Sequence, residues 1–243
     1  IPLDGAAPQA AAVWGGPVDQ FSLRSEPDGT LHALVRSGYG GDAMWQSDRN
    51  SRGAIALLTL PRASFGRGSG QPVARHYQPL PQGDVLSSLE NRFIGQHLVY
   101  AGQYQGTYKD GRYVPYTGPQ LAHVVSLADR RITSIDTGAG VTRIDRMGGD
   151  AILIGSGPQD SLRFQSVGLD APAGPAILDV YDLAGSGEAE SRSQAFFFRQ
   201  DDATGANGVL GLPVARSVPP GQYSANPTAA GIFYMTRTNR ELA

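Results

Sequence analysis

Apolar positions along this chain come in short alternating stretches, each closed by residues that turn the backbone. Phe21-Ser22-Leu23-Arg24 alternates, Pro27-Asp28-Gly29 turns, and Leu31-His32-Ala33-Leu34-Val35 follows. Proline presets φ for such a turn and glycine accepts a positive φ, so the segment predicts a hairpin. Residues 54–60 form an unbroken apolar run that stops at Pro61. Its length suits a strand buried on both faces better than a helix. Arg92-Phe93-Ile94, the Gly95-Gln96 turn and His97-Leu98-Val99-Tyr100 predict a second hairpin. Asp110-Gly111, inside residues 107–114, predicts a third. Residues 121–127 read as a strand. Residues 141–146 alternate, then turn through Met147-Gly148-Gly149-Asp150 into residues 151–154. Residues 162–167, 176–183, 195–198, 209–215 and 232–235 complete the series. Nowhere does an i, i+3, i+4, i+7 apolar spacing persist over three turns. The best helical candidate, residues 84–91, reads as a loop leading into a strand.

One unit recurs: an alternating strand, a glycine turn and an apolar strand, at residues 21–38, 91–102, 141–157 and 194–214. A spacing of roughly 40 to 60 residues is that of propeller blades. Such a small sheet cannot hide both faces alone, and stacking neighbours around an axis buries them. The expected fold is therefore all-β, a β-propeller-like array of about four antiparallel blades. Four is at the low end for a closed ring, so the array is expected to be part of a larger one. A β-sandwich uses the same strands and is the alternative. Residues 1–12, rich in Ala and Pro, read as an N-terminal arm or linker, and residues 13–243 as the propeller-like domain. The chain opens at Ile1, which reads as a processed or excised product.

Composition narrows the function classes. Gly numbers 32 and Pro 17 among 243 residues, which fits frequent turns and few helices. The net charge is −2 and no half of the chain is basic, so no phosphate-neutralising patch for nucleic acid is written here. The absence of cysteine excludes disulfides, thiolate catalysis and Cys-ligated metals. No apolar run approaches the roughly 20 residues that span a bilayer as a helix. Of the 20 basic residues only Lys109 is a lysine. Arginine suits bidentate pairing with carboxylates, although a GC-rich genome produces the same bias.

Four segments carry a family resemblance. They are residues 88–102 (SLENRFIGQHLVYAG), 121–136 (LAHVVSLADRRITSID), 141–157 (VTRIDRMGGDAILIGSG) and 194–214 (QAFFFRQDDATGANGVLGLPV). Together they resemble bacterial secreted proteins with a C-terminal β-propeller domain, over residues 88–214. The resemblance implies a fold and a periplasmic or extracellular address. It implies no reaction and carries over no catalytic residues.

Candidate chemistry is sparse. No serine has glycine at both −2 and +2, so the nucleophile-elbow pattern is absent, and Gly155-Ser156-Gly157 and Gly68-Ser69-Gly70 read as turns. His32, His76, His97 and His123 fall in no metal-ligand spacing, and His32 and His97 read as structural. Asp201, Asp202 and Asn207 place three oxygen side chains in a glycine loop, where calcium is the candidate metal. A solvated hairpin tip accounts for the same residues. Asp42, Asp48 and Asn50 form a second polar loop with the same two readings. Tyr104, Tyr108, Tyr113 and Tyr116, with Tyr100, crowd a Gly/Pro-interrupted region and are the candidate binding residues. Tyrosine is amphipathic and costs little entropy to fix, which suits protein or carbohydrate contacts. Padding between blades is the competing reading.

The reading favoured by the sequence is a non-enzymatic, extracytoplasmic interaction or scaffold module within a larger assembly. Its expected partner is a protein of the cell envelope. Residues 102–119 are the first expected contact surface and residues 66–81 the second. A hydrolase, or the substrate-gating propeller of one, and a carbohydrate-binding module are the alternatives. No cofactor is implied beyond calcium.

Overall fold

The structure is a computed structural model that describes residues 7–38, 53–81, 86–104, 106–217 and 228–243. It is all-β, with four short 3-10 turns, Arg62–Ser64, Ala74–His76, Pro158–Asp160 and Ser193–Ala195, and no α-helix among the described residues. No helix there is long and apolar enough to cross a membrane. The chain divides into two compact units, residues 1–86 and 87–243.

The first unit is one antiparallel sheet of β1 (Gly16–Pro17), β2 (Leu23–Ser25), β3 (Leu31–Arg36), β4 (Ile55–Leu60) and β5 (Tyr77–Leu80). The Pro27-Asp28-Gly29 turn closes the β2–β3 hairpin, with Gly29 at φ +84°. β4 runs between β3 and β5, and all its residues but Thr59 are buried. Ala33, Val35, Ala56, Leu58 and Tyr77 cover one face together with Ala11, Trp14 and Phe65. The Trp14 N–H donates to the Tyr77 hydroxyl at 2.7 Å. Ala10, in the segment expected to be an N-terminal arm or linker, exchanges backbone hydrogen bonds with Gly66 at 2.8 and 2.9 Å. Residues 66–81, the second expected contact surface, hold the Ala74–His76 turn and β5. β5 carries Pro79 and lies at the sheet edge, where a strand proline is tolerated.

The second unit contains three larger sheets and one small one. β6 (Glu90–Ile94), β7 (His97–Ala101), β10 (Leu121–Ser126) and β11 (Ile132–Asp136) form a meander. Between β7 and β10 the chain inserts a separate two-stranded ribbon, β8 (Thr107–Lys109) and β9 (Arg112–Val114). β12 (Val141–Met147), β13 (Asp150–Ser156), β14 (Leu162–Gly168) and β15 (Ala176–Leu183) form the next meander. The last sheet holds β16 (Ser186–Glu188), β17 (Phe197–Gln200), β18 (Gly208–Ser217), β19 (Thr228–Thr238) and β20 (Glu241–Leu242). Each recurring unit of the sequence falls in its own sheet, four in all.

The strand period of two explains how these sheets are held. On β13, Ala151 and Leu153 face one way and pack with Ile94, Val99, Ala122 and Val124 of the β6–β11 sheet. Ile152 and Ile154 face the other way and pack with Leu210, Leu212 and Met235 of the last sheet. The middle sheet is thus buried on both faces, as a propeller-like stack requires and a two-sheet sandwich does not. Full burial of each such aliphatic side chain contributes about 1.5–3 kcal/mol.

Arginine–carboxylate pairs join neighbouring sheets. Arg92 reaches Asp145 at 3.4 Å, and Arg143 reaches Glu188 at 2.5 Å. Arg237 and Arg240 share Asp150. Within the middle sheet, Arg163 grips Asp182 bidentately at 2.8 and 2.7 Å. Planar, two-pronged contacts of this kind are what a guanidinium offers and an ammonium does not.

Candidate functional site

The tyrosine-rich segment resolves into a base and a tip. Asp110 (φ +50°) and Gly111 (φ +73°) are both left-handed, the conformation of a tight primed hairpin turn. The turn sets Tyr108 opposite Tyr113 and Lys109 opposite Arg112. At the base, Tyr104 and Tyr116 stack with ring centroids 4.7 Å apart. The Tyr104 hydroxyl donates to the Leu121 carbonyl at 3.2 Å, and that of Tyr116 to the Pro119 carbonyl at 3.0 Å. Burial pushes the Tyr104 hydroxyl up to about 12, partly opposed by its hydrogen bond to Leu121. The Gly106 N–H donates to the Tyr113 hydroxyl at 3.2 Å. Beyond this base, all three residues of β9 are exposed, Tyr113 by 55% and Val114 by 42%. The side chain of Tyr108 lies outside the described residues.

Tyr100, by contrast, belongs to the core. It is fully buried and stacks on His123 with centroids 4.8 Å apart. Burial raises the Tyr100 hydroxyl and lowers the His123 imidazole to about 4. His123 is therefore neutral near pH 7, with Nδ1 2.9 Å from the Ser134 hydroxyl. His32 is likewise buried, its Nδ1 3.2 Å from the Thr59 hydroxyl.

The Asp201–Asp202–Asn207 loop uses its oxygens internally. One Asp202 carboxylate oxygen accepts the Thr204 and Gly205 N–H groups at 2.8 Å, and the other accepts the Asn207 N–H at 2.7 Å. The Thr204 hydroxyl and these backbone donors hold the Asp202 carboxyl far below the usual carboxylate range. Asn207 Oδ1 accepts the Asn239 N–H at 2.9 Å. Asp201 faces Arg199 at 3.8 Å instead. Among the described residues, no three His, Asp or Glu side chains converge as metal ligands. Asp42, Asp48 and Asn50 lie outside the described residues.

A cleft of about 610 Å³ in the second unit lies between the middle and last sheets. Ser156, Asp160, Ser161, Ser186, Glu188 and Glu190 supply its polar lining. Sequence reading passed over this cleft, whose trace is the Ser186-Gly187-Glu188-Ala189-Glu190 run. Glu188 is held by Arg143 and by the Thr142 hydroxyl at 3.2 Å. The Arg192 side chain grips Glu190 and holds its carboxyl at about 2. Two of the three carboxylates are thus ion-paired, and no histidine is among the lining residues. Gly155, beside Ser156, sits inside β13, where a Cβ would overlap the Gly140 carbonyl. Its role is close backbone approach and not a nucleophile elbow.

Compared with known proteins, the chain matches no protein-family model and no curated protein.

Proposed function

We propose that this chain is a non-enzymatic interaction module that works outside the cytoplasm and meets a protein of the cell envelope through the β8–β9 ribbon. One observation carries the reading. Among the described residues the ribbon pairs with no other sheet, yet it presents Tyr113 and Val114 to solvent on a base locked by the Tyr104–Tyr116 stack. A two-stranded ribbon is marginal by itself in water, and an exposed aromatic–aliphatic tip with an adjacent arginine has the composition of an interface centre. The stiff stack behind it limits the entropy lost on docking. The extracytoplasmic address rests on the resemblance to secreted propeller proteins read from the sequence of residues 88–214.

Against the carbohydrate alternative, Tyr104 and Tyr116 spend a ring face on each other. Against the hydrolase alternative, Glu188 and Glu190 are tied into ion pairs. The test is a photo-crosslinking residue at position 113 in cells that make the protein. A discrete adduct is expected there and not from the same residue at position 199, whose side chain is 74% exposed. Equal adducts from both positions, or none from 113, would refute the proposal.

A further inference from the structure

The alternation that puts Val99 and Val124 against the middle sheet continues one strand pair further. It brings His97 opposite Ser126 on the same face. Thr133 lies opposite Val124, and the Ser126 N–H bonds to the Arg131 carbonyl, so both neighbours join that face. Here the apolar face ends and a cavity of about 250 Å³ opens, closed on its far side by the segment that follows β14. Its polar lining is His97, Ser126, Arg131, Thr133 and Asp170. The Nδ1 of His97 is buried and has no hydrogen-bond partner among the described residues. Asp170, 3.8 Å from that nitrogen and beyond hydrogen-bond reach, has its side chain 76% exposed at the mouth.

We propose that this cavity binds a small oxyanion, a carboxylate or phosphate group, through Arg131, His97 Nδ1 and the hydroxyl of Thr133, the Ser126 hydroxyl being engaged by Asp129. The Arg131 guanidinium sets the charge preference, since it suits an anion; His97 adds a donor as its Nδ1–H tautomer, and the Asp170 carboxylate at the mouth opposes. Among the described residues Arg131 makes no direct ion pair; the exposed Asp129 carboxylate attracts it only from a distance, and a bound oxyanion would compete with that attraction. The volume is below the roughly 300–1,000 Å³ of pockets that enclose drug-sized ligands, so a small group or a chain terminus fits. A sugar would want an aromatic platform, and no Phe, Tyr or Trp lines the cavity. The inference stands apart from the β8–β9 ribbon, whose residues it does not use.

The test titrates the full chain with sodium phosphate, sodium acetate and, as a control, sodium chloride at constant ionic strength. The readouts are calorimetry and the His97 imidazole NMR signals, assigned with H97Q. A saturable His97 shift is expected with phosphate, acetate or both. Phosphate alone marks a phosphoryl ligand, and acetate alone marks a carboxylate such as a peptide terminus. R131Q should weaken binding about tenfold or more. D170N should tighten it, and R199Q, at an exposed arginine that does not line the cavity, should leave it unchanged. Unchanged melting of R131Q confirms that the variant is folded. No saturable shift, equal binding of chloride, or unaltered affinity in R131Q would overturn the proposal.

Discussion

Replacing Asp150 by Asn should loosen the middle sheet from the last one more than any other single isosteric change. Asp150 opens β13, and its carboxylate accepts Arg237 at 2.5 Å and Arg240 at 2.8 and 2.5 Å. The Arg237 side chain is 0% exposed, and that of Arg240 is 39% exposed. In D150N the buried Arg237 charge loses its counter-charge and is left with neutral acceptors, the new amide oxygen, the Ser166 hydroxyl and the Met147 and Gly205 carbonyls. Breaking a buried pair from one side costs about 3–5 kcal/mol. For a domain of this size that lowers Tm by roughly 6–20 °C. R240Q removes the exposed partner and should cost about 1 kcal/mol or less. Urea unfolding followed by circular dichroism measures both, and the D150L/R237M double variant should recover most of the loss. Acid adds a second check. Burial pushes the Asp150 carboxyl up, but hydrogen bonds and charge from Arg240 and Arg237 outweigh it and hold the carboxyl below 3.8. Its contribution is therefore complete above about pH 3.8 and is lost as the pH falls through the lower folded-state value. A D150N variant within about 1 kcal/mol of the parent, or an R240Q variant equally damaged, would refute this reasoning.

Other expectations follow from the same geometry. Burial lowers the His123 imidazole to about 4, from about 6.5 for an exposed histidine. The unfolded chain then binds the extra proton between these values, so stability should fall by roughly 2–3 kcal/mol from pH 6.5 to pH 4, and H123Q should lose that slope in pH-dependent urea melts. Gly148 has φ +64°, and a Cβ there would overlap the Thr204 carbonyl. G148A should therefore cost about 2–4 kcal/mol by the same assay, and a neutral result would mean that the Met147–Asp150 turn and the Asp202 loop do not touch. Millimolar calcium should leave Tm unchanged because the Asp202 oxygens are taken by their own loop. A rise of several degrees that D202N abolishes would restore the calcium reading.

Most hairpins were legible because their turns are written in residues that tolerate positive φ, as at Gly29, Gly95, Asp110-Gly111 and Gly148. The unbroken run of β4 announced burial on both faces, which the structure shows. β5 was hidden by Pro79, and β11 by the mixed Ile132-Thr133-Ser134-Ile135-Asp136 pattern of an edge strand that faces water. β16 and β20 are too short to carry a period. The tyrosine cluster was visible as a cluster, but its division into core, base and tip depends on which sheet face each ring meets. Tyr100 and Tyr104 are four residues apart and end in different surroundings. The anion cavity left no sequence trace, since His97, Ser126, Arg131 and Asp170 meet only through strand pairing and sheet stacking. The arginine excess had two readings, and the pairs with Asp150, Asp182 and Glu188 supply a physical use for it.

Native-state hydrogen exchange across increasing denaturant probes the central claim, a rigid stack of sheets carrying a separate ribbon. Amides of β13 and β14, shielded on both faces, should exchange only through global unfolding of the second unit, while those of β8 and β9 should open with a far smaller free energy. Early exchange in β13, or protection of the β8–β9 amides equal to that of β13, would contradict the account.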